Sequence, residues 1–533
     1  MTGPASFDRR RFLRGAGQAA VVVGGATLFG SLLEACSSSG GTTPVSTTTS
    51  TTTSSATAAD WAALGGALSG SLVLPSNPAY GVDKQLYNPQ FDDLMPAAIA
   101  YCQTATDVQR CVGFARQHGV ELAARSGGHS YGGYSLCPGL VVDVSRMANV
   151  AGSSARGMAT IGAGAKLVDI YNTLGNSGML LPGGSCPTVG IAGLALGGGQ
   201  GVFGRKYGLT CDNIASLQMV TADGTLRTCD PEHNPDLYWA SRGGGGGNYG
   251  IVTSFDFTVH PIPPVALFTL QWPFAAAAEM LEAWQQWIPT TPDELWSNCL
   301  VLSQGSAGAP IARVGGVFAG APATLKGILA PLLSAVGTTP TTNFVGAENY
   351  VQAMMIEAGC EGDSEAACHL QNQNPAGILE RSSFNAKSAY VHQAIPSSGA
   401  AAIAAAALSL SQSVPEVGGG FAFDSYGGAI NRVAAPATAF VHRDALACIQ
   451  YSVSFSSTAS SSVVNAGQAW LTSAQRTLAP YTAGAYQNYI DPTLADWQQE
   501  YYGSNLPRLV KVKAAYDPDD VFHFAQSIPT TLT

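Results

Sequence analysis

Residues 125–133 read RSGGHSYGG and residues 181–204 read LPGGSCPTVGIAGLALGGGQGVFG, and these two stretches say most about how the chain folds. The second contains nine glycines and no charged residue. A third run places five consecutive glycines, residues 243–247, directly after Arg242. Ordinary helices and strands do not tolerate this glycine density, so the three stretches predict loops whose backbone lies close against a large ligand.

Composition and motifs narrow the class of ligand. Charged residues make up 11% of the 533 positions and the formal net charge is −10, which argues against nucleic acid as a partner. The sequence has no GxxxxGK[ST] phosphate loop, and Gly162 and Gly164 begin a GxG pattern without its third glycine, which disfavours a nicotinamide-binding fold. Three loops rich in backbone N–H groups can bind a pyrophosphate without basic side chains, which suits FAD. No metal site is predicted.

The first 59 residues predict an export signal followed by a flexible linker. Arg9, Arg10 and Arg11 precede a short apolar stretch interrupted by glycines, the pattern of a twin-arginine export signal over residues 1–36. Cys36 ends a sequence that resembles a lipoprotein cleavage box, so it would be acylated and anchor the protein facing outward; a plain cleaved signal is the alternative. Residues 37–59, rich in Ser and Thr, predict a flexible linker.

The region from Asp60 onward is predicted to be globular. A capping box at residues 106–109 opens a helix that Gly119 ends, and an apolar strand at residues 120–124 leads directly into the first glycine loop. Further elements predicted before residue 260 are strands at residues 140–144, 214–220 and 251–259, a helix at 166–174 and a hairpin turn at 222–224.

Pro261, Pro263 and Pro264 mark a domain boundary, after which the sequence changes character. Alanine-rich helical patterns then alternate with strand-like segments, which predicts helices packed on one face of an antiparallel sheet. The helices are predicted at residues 275–288, 323–336 and 400–410, and two strands at 439–441 and 451–455. Two pairs of cysteines are close enough in sequence for local disulfides, namely Cys102 with Cys111 and Cys360 with Cys368.

Five motifs together resemble the berberine-bridge-enzyme-like group of FAD-linked oxidases, whose FAD domain is of the vanillyl-alcohol-oxidase or PCMH type. The resemblance covers residues 88–529 and points to bacterial oxidases of oligosaccharides or secondary metabolites. It implies an α+β fold with a two-subdomain FAD-binding domain at residues 88–262, a substrate domain with a helix-covered antiparallel sheet at 263–480, and a C-terminal segment at 481–533 that returns to the FAD domain. The motifs are RSGGHSYGG at 125–133, GSCPTVGIAGLALGGGQG at 184–201, KYGLTCDN at 206–213, DLYWASRGGGGGNYGIVTSF at 236–255, and NYID, YYGSNLPRLVKVKAAYDP and QSIP between 488 and 529.

The resemblance implies two covalent bonds to the cofactor. In that family the histidine of the first loop bonds the 8α position of the flavin and the cysteine of the second bonds C6; these positions are His129 and Cys186 here. The alternatives are a turn histidine bonded to backbone and a small buried cysteine. The other residues expected to contact FAD are Arg125, Ser126, Gly127, Gly128, Ser130, Gly184, Gly190, Gly193, Asp212, Asn213, Gly250, Ile251, Asn488 and Asn505.

Tyr489 is the expected catalytic base, because the family uses the tyrosine of its C-terminal NY motif; a core aromatic is the alternative. A free phenol has a pKa of about 10 and burial raises it, so Tyr489 needs a neighbouring cation or hydrogen-bond donor, which the sequence does not assign. If the segment is extended, Asp491 shares a strand face with Tyr489.

Other positions bear on the acceptor and the substrate. Gln200 stands where several family members have tyrosine, which argues against a second catalytic tyrosine, and Val189 stands where valine is associated with oxygen reaching the flavin. Asp424 and Gly427 belong to a stretch, DSYGGAIN, that matches the substrate side of the family's fold. The residues expected there are Gln200, Tyr426, Asn431 and His442.

The sequence therefore predicts an FAD-dependent oxidase that passes hydride from an alcohol or sugar carbon to flavin N5 and is reoxidised by O2, giving hydrogen peroxide. The expected substrate is the reducing end of an oligosaccharide or a hydroxyl of a glycosylated metabolite. A flavin dehydrogenase using another acceptor and a surface lipoprotein that only binds carbohydrate are the alternatives, and the oligomeric state stays open.

Overall fold

A computed structural model describes residues 56–532 of the chain. The predicted export signal, Cys36 and most of the predicted linker lie outside the described residues. Thr57 caps helix α1 (Ala58–Ala67), so regular structure begins within the last residues assigned to the linker. Among residues 56–532, none of the helices combines the length and the apolar composition that crossing a bilayer requires.

The first sheet comprises β1 (Ser71–Val73), β2 (Ala98–Tyr101), β3 (Leu122–Arg125) and β4 (Leu140–Asp143), and helices α2 (Tyr80–Asp83) and α3 (Ala105–His118) belong to the same region. Its order is β1-β2-β4-β3, with β2, β4 and β3 parallel and β1 antiparallel at the edge. Thr104 and Asp107 form the capping box of α3, so the box predicted at residues 106–109 was wrong by two positions. The predicted end at Gly119 is confirmed, since this residue adopts φ 61°.

The second sheet comprises β5 (Val150–Ser153), β6 (Met158–Gly162), β8 (Ile214–Thr221), β9 (Leu226–Cys229) and β10 (Gly250–Thr258), while β7 (Met179–Leu180) pairs with β11 (His260–Pro261). Its five strands are antiparallel, in the order β5-β6-β10-β8-β9. The helices of this region are α4 (Leu167–Asn176), α5 (Ile191–Leu196), α6 (Gly204–Tyr207) and α7 (Pro235–Ala240). Helix α5 corrects the expectation that residues 181–204 contain no helix: its apolar run IAGLAL buries Ile191, Ala195 and Leu196, and that burial stabilises the turn despite Gly193.

The third sheet comprises β12 (Val265–Trp272), β13 (Leu295–Ser303), β14 (Ile311–Phe318), β15 (Thr342–Glu348), β16 (Ser383–Val391), β17 (Gly418–Ser425), β18 (Ala447–Phe455) and β19 (Thr482–Ala483). All neighbours are antiparallel, in the order β15-β12-β14-β13-β17-β18-β16-β19. Its helices are α8 (Ala277–Trp287), α9 (Pro322–Val336), α10 (Tyr350–Glu357), α11 (Ser397–Ser413), α12 (Ala429–Arg432) and α13 (Ser461–Leu478).

Alternation along these strands separates an apolar face from an open one. Cys299, Val301, Phe421 and Phe423 belong to a buried cluster that includes residues of α8, α9, α11 and α13. Asn298 and the other intervening residues turn the opposite way. The predicted helix-covered antiparallel sheet is therefore confirmed. The strand predicted at residues 439–441 is wrong, because this apolar run packs as an irregular loop with Phe440 buried and has no ladder partner.

The C-terminal segment returns to the first two sheets through α14 (Trp497–Tyr502) and α15 (Leu506–Tyr516). Lys513 is fully buried, and its ammonium group donates to Asp517 Oδ2 at 2.7 Å and to the Asn248 carbonyl at 3.0 Å. The Ile528 N–H donates to Asn248 Oδ1 at 2.9 Å. These bonds tie α15 and the segment after it to Asn248, which directly follows the five glycines.

One of the two predicted disulfides is present. Cys360 and Cys368 are bonded, closing a local loop after α10. The sulfurs of Cys102 and Cys111 lie 3.9 Å apart as free thiols. The prediction for this second pair is therefore wrong in this structure, although the two side chains do face each other in the core.

Candidate active site

A cavity of about 1370 Å³ lies where the three glycine loops, the C-terminal segment and the open face of the third sheet meet. Small-molecule pockets commonly measure about 300–1,000 Å³, so this one has room for a dinucleotide and a second ligand. The sequence-predicted residues that line it are Arg125, Ser126, Gly127, Gly128, His129, Ser130, Gly184, Cys186, Gly190, Gly193, Gln200, Gly250, Ile251, Asn488 and Tyr489.

Arg125 provides a fit for an anionic cofactor. It ends β3 and is buried, and its Nε donates to the Asp143 carboxylate. Its Nη1 has no hydrogen-bond partner within residues 56–532. A buried donor without an acceptor costs about 1–3 kcal/mol, so this nitrogen is suited to an oxygen such as that of a phosphate.

The glycine loops meet backbone to backbone. A Cβ added at Gly127 would lie 2.2 Å from the Gly190 N, and one added at Gly190 would lie 2.1 Å from Ser126 Oγ. Gly245 and Gly247, which line the cavity from the third loop, have φ values of 89° and 74° that favour glycine. Side chains at Gly127 and Gly190 would push the first two loops apart, so the glycines let bare backbone form the cavity wall, an arrangement that fits FAD.

His129 is held by two neighbours. Its ring stacks on Tyr87 with 4.1 Å between centroids, and its Nε2 lies 2.8 Å from Thr188 Oγ1. Burial, with the Lys166 ammonium nearby, lowers the pKa of His129 to about 3. The imidazole is therefore neutral at ordinary pH and keeps a lone pair for bond formation.

Cys186 lies in the loop that reaches His129 through Thr188, and its side chain is exposed to the cavity. Enclosure by the cavity walls, with a smaller effect of the Asp424 carboxylate, raises the pKa of its thiol above the ordinary value. The structure thus brings the imidazole and the thiol, 57 residues apart in the sequence, to one cavity wall.

Tyr489 lies in a short 3-10 turn (Gln487–Tyr489) and packs against Tyr131, with 5.3 Å between ring centroids. The segment is therefore not extended, and Asp491 faces elsewhere, where Lys387 Nζ lies 2.5 Å from its Oδ2. Because the expectation of a shared strand face required an extended segment, Tyr489 and Asp491 do not share one. Burial raises the pKa of Tyr489 well above its ordinary value.

The Gln200 side chain lies between Tyr489 and Asp424 and contacts both. Its Nε2 lies 3.2 Å from the Tyr489 hydroxyl and 3.4 Å from Asp424 Oδ2, and its Oε1 accepts from Tyr426 at 2.8 Å. Burial, with the Glu357 carboxylate nearby, raises the pKa of Asp424 to about 7. Asp424 is thus a carboxyl group that can exchange a proton near neutrality, at the end of the cavity where Tyr489 lies.

Six of the expected site residues do not line the cavity, and three of these were expected to bind FAD. Asp212 accepts two hydrogen bonds from the buried Arg443 guanidinium, at 2.6 and 2.8 Å. Asn213 donates to the carbonyls of Tyr207 and Leu209, and Asn505 donates to backbone carbonyls of residues 435 and 438. These three side chains therefore hold loops together through hydrogen bonds.

The other three were expected on the substrate side. Tyr426 lies behind Gln200 and orients it. Asn431 donates to the Ala445 carbonyl, and the buried His442 stacks on Tyr390 at 4.1 Å. Asn431 and His442 line a separate pocket of about 580 Å³.

Sequence reasoning did not single out Tyr87, Tyr131 or Gln450, which line the cavity. Tyr131 stands inside the first motif, so its motif was the available signal. Gln450 Nε2 donates to the Tyr131 hydroxyl at 2.7 Å, a contact between residues 319 positions apart that no local pattern indicates. Within residues 56–532 no group of three or more His, Cys, Asp or Glu side chains is arranged to hold a metal ion.

The fold and this cavity define an FAD-binding oxidoreductase with a PCMH-type cofactor domain. Residues 96–230 match the model of an FAD binding domain, and residues 485–529 match the model described as berberine and berberine like. The structure is similar to Physcomitrella patens BBE-like 1, with a TM-score of 0.81 and 32% identity over 89% of this chain and 100% of that one. A chitooligosaccharide oxidase gives a TM-score of 0.76 at 27% identity, covering 87% of this chain and 98% of that one.

Sequence relatives agree. The uncharacterized FAD-linked oxidoreductase YgaK of Bacillus subtilis is 33% identical over 469 residues, which cover 87% of this chain and 97% of the relative. Berberine bridge enzyme-like 19 of Arabidopsis thaliana is 30% identical over 85% of this chain and 83% of its own length. The chain belongs to the berberine-bridge-enzyme-like family of FAD-linked oxidoreductases.

Proposed function

We propose that this chain is an oxidase of a sugar or alcohol hydroxyl, acting on the reducing end of an oligosaccharide or on a glycosylated metabolite. The observation that carries the proposal is the contact of Gln200 with both Tyr489 and Asp424, in the cavity that His129 and Cys186 also line. Bound FAD supplies the two-electron acceptor for the substrate carbon. The residues of the chain supply binding, orientation and the proton acceptor.

Two covalent bonds hold the cofactor in this proposal, one at His129 and one at Cys186. Because Nε2 of His129 faces Thr188 Oγ1, the other ring nitrogen, Nδ1, would be the atom available to bond the flavin. The neutral state of the imidazole supports this role, because a protonated ring has no free lone pair. The exposure of the Cys186 side chain to the same cavity supports the second bond.

Tyr489 and Asp424 act as a pair. The phenol contacts the substrate hydroxyl but is too weak an acid to remain ionised by itself at neutral pH. Asp424 is the group that can hold the released proton, because its pKa of about 7 matches the working pH. Gln200 donates to both, which favours the ionised form of each. In this proposal Tyr489 binds and orients the substrate hydroxyl, and the base role expected of Tyr489 from the sequence passes to Asp424.

The open face of the third sheet supports a polyhydroxylated substrate. It presents Asn298, Gln450 and Ser452 to the cavity beside Asp424. Amide and hydroxyl groups of this kind can donate to and accept from sugar hydroxyls. Structural neighbours include a chitooligosaccharide oxidase and a xylooligosaccharide oxidase from Myceliophthora thermophila in complex with xylobiose, at 27% and 28% identity.

Oxygen is the proposed electron acceptor. Val189 lines the cavity three residues after Cys186, and the family resemblance associates a valine at this position with oxygen reaching the flavin. A dehydrogenase is the second candidate, because the neighbours also include Phl p 4, a grass pollen allergen with glucose dehydrogenase activity, at 27% identity and a TM-score of 0.76.

Export through the twin-arginine route, with acylation of Cys36, remains part of the proposal. The Cys360–Cys368 disulfide supports an oxidising destination. Cell fractionation of the wild type and an Arg9→Lys, Arg10→Lys, Arg11→Lys variant would test it. Retention of the variant inside the cell supports export by this route, and equal export of both contradicts it.

The function is tested by peroxide detection with purified yellow protein across mono-, di- and trisaccharides and secondary alcohols. We expect stoichiometric peroxide with at least one sugar. Rapid mixing of the reduced protein with air-saturated buffer separates the two candidates. Fast reoxidation supports the oxidase, whereas slow reoxidation together with fast turnover on a quinone supports the dehydrogenase.

A further inference from the structure

The cavity holds a group of polar side chains that take no part in the proposed proton transfer and lie beside Asp424 on neighbouring elements. Arg313 on β14, Asn298 on β13 and Glu357 at the end of α10 all line it. Arg313 Nε and Asn298 Oδ1 are buried and have no hydrogen-bond partner in the described part of the chain. Since buried polar groups are nearly always paired, these two atoms are suited to a ligand.

Strand register places this group relative to the proposed proton acceptor. Asn298 is opposite Asp424 on one side and opposite Gly315 on the other. Arg313 is two residues from Gly315 on β14, so it shares that face of the sheet. With about 4.8 Å between strands and about 3.3 Å per residue, the Cα atoms of Arg313 and Asp424 lie roughly 12 Å apart. The two backbone positions are therefore separated by about twice the width of a sugar ring, which leaves room for a second ring between Asp424 and Arg313.

Gly315 keeps the surface between these side chains low. A Cβ added there would lie 3.3 Å from Asn298 Oδ1 and 3.5 Å from the Phe268 carbonyl. A ring lying over this glycine would have Asn298 beside it on the neighbouring strand and Arg313 two residues along the same strand. The open face of the sheet therefore forms a shallow surface around Gly315, between Asn298 and Arg313, that extends away from Asp424.

The charges select a neutral ligand. Burial raises the pKa of Glu357 to about 7, and the Arg313 guanidinium opposes that rise. Glu357 in turn acts on Asp424, so two carboxyl groups and one cation share this part of the cavity. The two other guanidinium groups that line the cavity each have a carboxylate partner: Arg381 is bound by Asp92 and Arg125 by Asp143. An anionic ligand would meet two carboxyl groups, whereas a vicinal diol can accept from a guanidinium and donate to a carboxylate at once.

We propose that Arg313 and Glu357, with Asn298 beside them, form a subsite for the vicinal diol of a second sugar ring, adjacent to the ring that is oxidised. The substrate is therefore a neutral glycan or glycoside of at least two rings. This inference rests on the proposed function, because Asp424 and Tyr489 mark the place of the first ring.

Two variants and one control test the subsite in the complete flavoprotein at pH 8, where Glu357 is ionised. Arg313→Met removes the donors at similar length, Glu357→Gln removes the charge, and Arg476→Met changes an exposed arginine on α13. For each protein, kcat and KM are measured with a disaccharide that the wild type oxidises and with the corresponding monosaccharide. We expect KM for the disaccharide to rise about 10- to 100-fold in Arg313→Met, with kcat within about threefold and monosaccharide constants nearly unchanged.

Direct binding separates failure of the subsite from failure of the proposed function. Calorimetry uses the methyl glycosides of cellobiose, xylobiose and chitobiose, whose reducing ends are blocked. Binding of at least one by the wild type, lost in Arg313→Met and kept in Arg476→Met, supports the subsite even if no sugar is oxidised. Absence of wild-type binding, or equal losses for monosaccharide and disaccharide, overturns it, whatever the peroxide assay shows. Glu357→Gln decides the matter if Arg313→Met has lost its flavin or its melting transition.

Discussion

The side-chain amide of Gln200 donates to the Tyr489 hydroxyl over 3.2 Å. Tyr426 fixes the orientation of this amide, because its buried hydroxyl donates to the amide oxygen at 2.8 Å. The NH2 group must then face Tyr489 and Asp424. The residue that stands in the place of a tyrosine therefore provides the donor that the phenol requires.

Replacing Gln200 by leucine should weaken the reaction without loosening the cofactor. The variant removes one donor shared by two groups whose ionised forms it favours, so we expect kcat/KM to fall about 10- to 100-fold. Steady-state kinetics and the amount of covalently bound flavin are the measurements. Gln412→Leu, on the exposed side of α11, is the control. A kcat/KM within twofold of the wild type would rule out this role.

The pH profile should report Asp424. A carboxyl group whose pKa is raised to about 7 is protonated, and unable to accept a proton, below that pH. We therefore expect kcat/KM to fall about tenfold per pH unit below pH 7 and to level off above it. Asp424→Asn should lower kcat by about 10²- to 10⁴-fold and remove the inflection. The exposed Asp444→Asn serves as control, and an inflection that persists in Asp424→Asn would assign it to another group.

Covalent attachment should respond separately to its two residues. His129→Ala and Cys186→Ala should each retain flavin after acid precipitation through the remaining bond. The double variant should release all of it, yet still bind FAD before denaturation, since Arg125 and the glycine loops are intact. Peptide mass spectrometry of both tryptic fragments gives the answer. Undiminished attachment in the double variant would falsify the assignment.

Asp212 should matter for stability and leave cofactor loading intact. Its pair with Arg443 is buried, and breaking such a pair costs about 3–5 kcal/mol, so Asp212→Asn should lower the melting temperature clearly. Flavin per folded molecule should not change. Asp236→Asn breaks the exposed pair with Arg508 and should cost less than about 1 kcal/mol. Loss of flavin from Asp212→Asn at an unchanged melting temperature would restore the cofactor role expected from its motif.

A larger side chain at residue 189 should obstruct oxygen. In Val189→Leu we expect slower reoxidation of the reduced protein and an unchanged rate of reduction by substrate, because the substitution leaves Tyr489, Gln200 and Asp424 unchanged. Rapid mixing measures both half-reactions. Equal rates of reoxidation in wild type and variant would place the oxygen path elsewhere.

Local patterns carried much of the prediction. The glycine loops, the end of α3 at Gly119 and the helix-covered sheet were predictable because each depends on neighbours in sequence or on simple alternation. The links between distant segments were not. Gln200 meets Asp424 across 224 positions, and Tyr87 stacks on His129 from outside any motif. For Asp212 the motif suggested a cofactor contact, whereas the structure shows a carboxylate paired with Arg443.

The buried Lys513 determines when, during synthesis of the chain, the cofactor-binding wall can be completed. Because it joins the last helix to the Asn248 carbonyl, the wall beneath the cofactor is finished only after nearly the whole chain has left the ribosome. Tyr489, too, is synthesised late. We therefore expect flavin capture to require the completed polypeptide: a truncation between Tyr489 and α15 removes Lys513 from the cofactor wall, and a truncation upstream of Tyr489 removes the phenol as well.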